Sequence, residues 1–217
     1  MPDRPRHLVQ CVRQLTATAF VIRVDRHAFR ALAGQHVTLG PHQFAINREF
    51  SIYSPPDQAS IEFLIKARPG SETALALQRA QPGDEVDLAG PYGEFLIADP
   101  GDRTRRYLFV ATGVGIAPFH CFARYYPGLD YRLIHGVSKL EDRYDMDDYP
   151  RERYIACVSS EDGGDFRGRV TDYLREHPVE PDRLCYICGR SAMVASVYDL
   201  LRGQGVPSDN LLTETFF

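Results

Sequence analysis

Tyr107-Leu108-Phe109-Val110-Ala111-Thr112-Gly113-Val114-Gly115-Ile116-Ala117-Pro118 is the stretch on which the fold turns. Its first five residues form a nearly continuous apolar run, the pattern of a parallel strand buried on both faces. A glycine-containing turn follows, and Ala117 to Tyr126 then reads as a helix. Two glycines let the backbone pass close to a ligand. The helix behind them offers unpaired N–H groups and a positive dipole end to a diphosphate. The stretch is not the full dinucleotide fingerprint, because Pro118 stands where a third glycine would be, and it lacks the lysine of a P-loop. Strand, turn and helix in that order still favour phosphate binding over a plain connection.

Downstream, the same rhythm continues. Tyr131-Arg132-Leu133-Ile134-His135, Tyr154-Ile155-Ala156-Cys157-Val158 and Leu184-Cys185-Tyr186-Ile187-Cys188 read as strands. Gly168 to Glu176 and Ala192 to Leu201 read as helices, the last closing at Gly203. Alternation of this kind predicts a doubly wound α/β sheet with ligands outside the carboxyl ends of its strands. Upstream the pattern is different. Six short strand signals lie at Val9–Val12, Ala19–Val24, Gln35–Leu39, Phe50–Tyr53, Ile61–Ile65 and Glu85–Leu88. Gly and Pro turns divide them, and one short helix interrupts from Glu72 to Ala80. Six such strands predict an antiparallel barrel or sandwich. The expected organisation is a β domain over residues 1–100 and an α/β domain over residues 101–217.

The 217 residues carry 25 Lys and Arg against 29 Asp and Glu, a formal charge of -4. That balance gives no electrostatic footprint for nucleic acid. No run approaches the ~18 apolar residues of a membrane span. The five cysteines, Cys11, Cys121, Cys157, Cys185 and Cys188, are scattered and odd in number. With the charged start at Met1-Pro2-Asp3-Arg4, they point to a reducing cytoplasm.

Arg48-Glu49-Phe50-Ser51 is the second chemical signal. On a strand, Arg48 and Phe50 share a face and Ser51 points elsewhere. A guanidinium, an aromatic ring and a hydroxyl suit a ligand with phosphates at one end and a flat heteroaromatic ring at the other. Read alone, an edge strand with an exposed Arg and a core Phe explains these residues better.

Taken together, these motifs resemble the ferredoxin–NADP reductase superfamily of flavoproteins, over nearly the whole chain. Arg48-Glu49-Phe50-Ser51 looks like its Arg-x-Tyr/Phe-Ser flavin motif, and Gly90-Pro91-Tyr92-Gly93-Glu94-Phe95 like its Gly-Pro-x-Gly-x-Phe turn closing the barrel. The resemblance implies that Arg48 holds the FAD diphosphate, Phe50 lies along the flavin and Ser51 bonds near N5. Ile65, Lys66, Ala67 and Thr73 match a second flavin contact. Thr112, Gly113, Val114, Gly115 and Pro118 fall in the pyridine-nucleotide diphosphate loop. Cys188, Gly189 and Met193 fall on the nicotinamide side. Leu211-Leu212-Thr213-Glu214-Thr215-Phe216-Phe217 resembles the closing Glu-x-Tyr, with Phe216 returning to stack on the flavin and Phe217 one residue beyond.

By that resemblance the protein is an FAD-dependent reductase that takes hydride from NADPH or NADH and passes electrons to ferredoxin, flavodoxin or a similar acceptor. Ser51, Cys188 and Glu214 are its candidate catalytic residues. A free-flavin reductase and an electron-transfer subunit of a larger complex are the alternatives. The NADP-using branch commonly has an Arg after the serine that follows the third α/β strand, and here that place reads Ser159-Ser160-Glu161. NADH use is therefore open, with Lys139, Arg143, Arg167 and Arg169 as the other cations in reach of the question.

No metal site is expected. Cys185-x-x-Cys188 sits inside an apolar strand without a second pair, and the cysteine cluster of a plant-type iron–sulfur centre is missing. His135, before Gly136, resembles the family's His-Gly at a strand end and reads as structural. Glu141 to Asp148 reads as a solvated helix face without a role.

Overall fold

A computed structural model describes residues 6–42 and 46–216. It divides into two compact units: residues up to Leu96 with His120–Tyr125, and Ile97–Phe119 with Tyr126 onwards. Among the described residues no helix is long and apolar enough to cross a membrane.

The first unit is an antiparallel sheet of β1 (His7–Gln14), β2 (Ala19–Asp25), β3 (His36–Pro41), β4 (Arg48–Ser51), β5 (Ser60–Lys66) and β6 (Glu85–Tyr92). Their order is β4-β3-β6-β1-β2-β5. The two end strands meet: Tyr53, just past β4, donates its N–H to Glu62 of β5 at 2.8 Å. This crossing also explains why β4 stops at Ser51, two residues short of the strand end read from the apolar pattern. The inward residues Val9, Phe20, Ile22, Val24, Val37, Leu39, Ile61, Phe63 and Ile65 fill its core. The short helix α1 (Glu72–Gln78) adds Ala74 and Leu77 to that core.

The second unit is a parallel sheet of β7 (Arg106–Thr112), β8 (Asp130–Val137), β9 (Tyr154–Val158), β10 (Phe166–Arg167), β11 (Leu184–Arg190) and β12 (Leu211–Phe216). The order is β10-β9-β8-β7-β11-β12, every pair parallel. From β7 the chain moves outward one way to β8 and β9, then returns to β11 on the other side. The strand order therefore reverses between β7 and β11, the place where doubly wound sheets open a crevice for ligands. Helices α3 (Val170–Glu176) and α4 (Ser191–Gly203) contribute Val170, Leu174, Val194, Val197 and Leu201 to one layer of core. On the other face Phe109 stacks between Phe119 and Tyr131, with ring centroids 4.8 and 5.3 Å away.

The fold class is the expected one, with two local corrections. The acidic segment is not a solvated helix face: it forms two 3-10 turns, Leu140–Asp142 and Met146–Asp148, separated by Asp145 at φ +47°. Asp142 is buried and accepts the Tyr144 hydroxyl at 2.8 Å. Two-residue β10 was not foreseen, since two residues carry no periodicity.

Candidate functional site

In the α/β unit the crevice is floored by β7 and β11. Thr112 ends β7, and a 3-10 turn, Gly113–Ile116, runs into α2 (Ala117–Tyr125). Pro118 sits in the first turn of α2, where its missing N–H removes no helix bond. Across the crevice β11 ends at Arg190 and α4 begins at once, placing Met193 in its first turn.

Two glycines set how closely these loops approach. A Cβ on Gly115 would lie 2.5 Å from the Cys188 carbonyl oxygen and 2.8 Å from Gly189 Cα. A Cβ on Gly189 would lie 2.4 Å from Thr112 Oγ1 and 2.9 Å from Met193 Cε, at φ +148°. No side chain fits at either position. The structure thus brings Thr112, Gly115, Cys188, Gly189 and Met193 into one place, with Gly113 and Val114 on the turn between the first two.

Glu214 joins them. On β12 it stands in register with Cys188, and the Cys188 thiol donates to Glu214 Oε2 at 3.8 Å. Burial, and then the neighbouring carboxylate, push this thiol well above its ordinary range, so Cys188 is a neutral S–H. Phe216 ends the same strand opposite Arg190, half-buried; Phe217 lies outside the described residues. Cys185 is three residues from Cys188 on one strand, so the two thiols face opposite sides of the sheet. Burial raises Cys185, Cys121 and Cys157 each to about 12.

Ser159 stands apart, just beyond the carboxyl end of β9. It is exposed, with its hydroxyl on the Val137 carbonyl at 3.2 Å. Beside it the Glu161 carboxylate accepts the Leu140 N–H, a tie no sequence spacing announced.

In the antiparallel unit the candidate residues lie on β4 and at the end of β5. Arg48 and Glu49 are exposed, Phe50 is half-buried against the core and Ser51 is buried. Arg48 has no hydrogen-bond or ion-pair partner among the described residues. The Thr73 hydroxyl donates to the Ile46 carbonyl at 2.9 Å, so α1 fixes the segment that leads into Arg48. Beyond Ser51 the chain is equally fixed. Tyr53 stacks on His120 with centroids 3.7 Å apart, the Ser54 hydroxyl accepts the Glu62 N–H at 3.0 Å, and buried Arg26 caps the Pro55 carbonyl at 3.2 Å. Ile65 and Ala67 are core side chains, so they offer a ligand only their backbone; Lys66 between them is half-buried.

Residues 10–97 match the oxidoreductase FAD-binding domain and residues 109–199 the oxidoreductase NAD-binding domain. The chain belongs to the oxidoreductases built from an FAD-binding and an NAD-binding domain. Within this family it is similar to the toluate 1,2-dioxygenase electron transfer component of Pseudomonas putida. The two are 30% identical over 94% of this chain and 65% of that one. The propane 2-monooxygenase reductase component of Mycolicibacterium smegmatis is 27% identical over 97% of this chain and 67% of its own length. The chain thus spans about two thirds of these curated relatives. Among solved structures, a ferredoxin NADP+ reductase from Neisseria gonorrhoeae with bound FAD and NADP shares the fold. Its TM-score is 0.86 at 20% identity, over 98% of each chain.

The two matched domains are an FAD-binding and an NAD-binding domain, so FAD is the cofactor, and the side chains present suit both dinucleotides. Thr112 Oγ1 is a buried oxygen without a hydrogen-bond partner among the described residues. Leaving a hydroxyl so costs about 1–3 kcal/mol, which a polar ligand in the crevice would relieve. The close glycine contacts leave backbone, not side chain, facing a dinucleotide. On β4, an exposed and unpaired Arg48 beside a half-buried ring is the donor set that an aromatic diphosphate requires.

Proposed function

We propose that this chain is a reductase that passes hydride from NADH to bound FAD and delivers electrons to a protein partner in an oxygenase system. The observation that carries the reading is the crevice at the strand-order reversal, where Gly115 and Gly189 leave only backbone beside the orphaned Thr112 hydroxyl. Bound FAD supplies the conversion of a two-electron donor into single electrons.

The chain's own residues do the rest. Backbone N–H groups of the Gly113–Ile116 turn hold the dinucleotide diphosphate. Thr112 and Gly189 orient the nicotinamide end, and the neutral Cys188 thiol with the Glu214 carboxylate gives that end a proton-sharing pair. Arg48 neutralises the flavin diphosphate, Phe50 lies along its ring system, and Ser51 is the hydroxyl nearest that motif. The partner is an iron–sulfur protein such as a ferredoxin, or a flavodoxin. Support comes from relatives that are an electron transfer component of a dioxygenase and a reductase component of a monooxygenase.

NADH is preferred to NADPH because Ser160-Glu161 offers no Arg for a 2′-phosphate, and three of the four nearby cations are engaged, leaving only the Arg169 side chain without an ion-pair or carbonyl partner among the described residues. Arg167 is paired with Asp162 at 2.7 Å and Lys139 lies 3.9 Å from Glu141. Arg143 donates to the Leu140 carbonyl. Glu161 adds a carboxylate, which repels a 2′-phosphate and can accept from a 2′-hydroxyl.

Purified protein should be yellow, and anaerobic titration should bleach its flavin bands at lower NADH than NADPH, by about tenfold or more. Ser160→Arg should narrow that ratio. Folded protein that stays colourless with excess FAD or FMN overturns the proposal; saturation by riboflavin as substrate would instead make it a free-flavin reductase.

A further inference from the structure

His135 is fully buried near the end of β8, yet no step of the proposed reaction uses it. Both its ring nitrogens are occupied. Nε2 lies 2.8 Å from the Gly113 carbonyl oxygen and Nδ1 lies 2.7 Å from the Tyr154 hydroxyl. A carbonyl only accepts, so Nε2 carries the proton. In a neutral imidazole Nδ1 is then the acceptor, and the Tyr154 O–H must donate to it. Burial keeps the ring neutral, lowering it to about 4. The chain of donors therefore runs one way, from Tyr154 at the start of β9, through His135 on β8, to the turn that follows β7.

The direction matters because of the peptide it ends on. The Gly113–Val114 bond is trans, so its C=O and N–H point in opposite directions. Holding the Gly113 oxygen against His135 turns the Val114 N–H away from the sheet interior. That N–H belongs to the first residues of the helical segment, which have no carbonyl a turn behind them. Gly113 itself sits at φ +54°, so an unclamped peptide here has other conformations to visit.

We propose that His135 and Tyr154 are positioning residues for the dinucleotide: the Tyr154 hydroxyl anchors the imidazole whose Nε2 proton the Gly113 carbonyl fixes, and His135 clamps the Gly113 peptide so that the turn presents its N–H groups to the diphosphate. The inference rests on the dinucleotide reading of the crevice. Without the Tyr154 hydroxyl the buried Nδ1 loses its donor and the ring its anchor, which loosens the hold on the Gly113 carbonyl and releases the turn. Such a loss affects ground state and transition state alike, so it moves KM and leaves kcat nearly unchanged.

The test is calorimetric titration of the FAD-loaded protein with ADP-ribose and with adenosine, which lacks the diphosphate, alongside KM and kcat for NADH. Tyr154→Phe should weaken ADP-ribose about tenfold and raise KM similarly, with adenosine binding and kcat little changed. His135→Leu should do the same. His135→Gln, which keeps an N–H donor, should recover part of the affinity. ADP-ribose binding equal to that of the unaltered protein in Tyr154→Phe and His135→Gln overturns the clamp, as does an equal loss for adenosine. Failure of the unaltered protein to bind ADP-ribose is a different result, and sinks the dinucleotide reading itself.

Discussion

The two candidate sites are built on opposite principles. In the α/β unit the proposed site offers backbone. Gly115 and Gly189 bring two turns to contact distance, and a buried histidine holds one carbonyl in place. The Cys188 thiol donates to the Glu214 carboxylate from the adjacent strand. In the antiparallel unit the proposed site offers side chains, Arg48 foremost, carried on an end strand whose neighbours are pinned but whose own charged residues are exposed. A site made of backbone cannot be separated from the packing that makes it, whereas a site made of exposed side chains can. Substitutions should therefore damage stability and binding together in the first, and binding alone in the second.

Gly115→Ala is the strongest way to break that contrast. The added Cβ would meet backbone atoms of Cys188 and Gly189 at 2.5–2.9 Å, and neither can rotate away. Overpacking of this kind costs about 1–3 kcal/mol of stability. Displacing a positioning loop by about 1 Å costs about 100-fold in turnover. NADH kcat/KM should fall about 100-fold and the melting temperature should drop with it. A variant of unchanged stability and NADH affinity would show that the close approach is incidental.

Acidification probes the same coupling. His135 is neutral in the folded chain down to about pH 4, while the same imidazole in an unfolded chain protonates near 6.5. Between these values the unfolded state binds the extra proton, so stability falls as pH drops from 6.5 to 4. The full loss is about 3 kcal/mol. His135→Gln has no such group, and its urea midpoint should fall less steeply over that window. Asp142, Tyr144 and Tyr154, which surround the ring, are present in both proteins. Equal slopes would assign the acid sensitivity elsewhere.

How far each site was legible in the sequence follows the same division. The strand, turn and helix of the α/β crevice were legible, since an apolar run, two glycines and a helix signal are local features. Its closing pair, Cys188 and Glu214, came from motif resemblance, and register across β11 and β12 then placed them side by side. What stayed hidden was made by tertiary contact alone. Tyr154, His135 and Gly113 come from three separate segments, and no spacing links them. The Leu140–Glu161 tie and the burial of Asp142 are of this kind too. On the antiparallel side, a strand signal alone did not say which side chains of Ile61–Ile65 face the core; Ile61, Phe63 and Ile65 do, so Ile65 offers a ligand only its backbone.

Arg48→Ala sharpens the comparison from the other side. Arg48 is exposed, lies on an end strand and has no partner among the described residues, so its removal should change apoprotein stability by no more than about 0.5 kcal/mol. Hydrogen bonds from a guanidinium to a phosphate are worth about 1.5–3 kcal/mol, which is about 10- to 150-fold in FAD affinity. Arg48→Lys should recover only part of this, since an ammonium supplies a point charge without the planar fork. Flavin release followed by fluorescence, with urea unfolding of the stripped protein, separates the two quantities. Unchanged FAD affinity would remove Arg48 from the site. A large loss of apoprotein stability would instead show that the exposed strand is as tightly coupled to its fold as the glycine crevice is to its own.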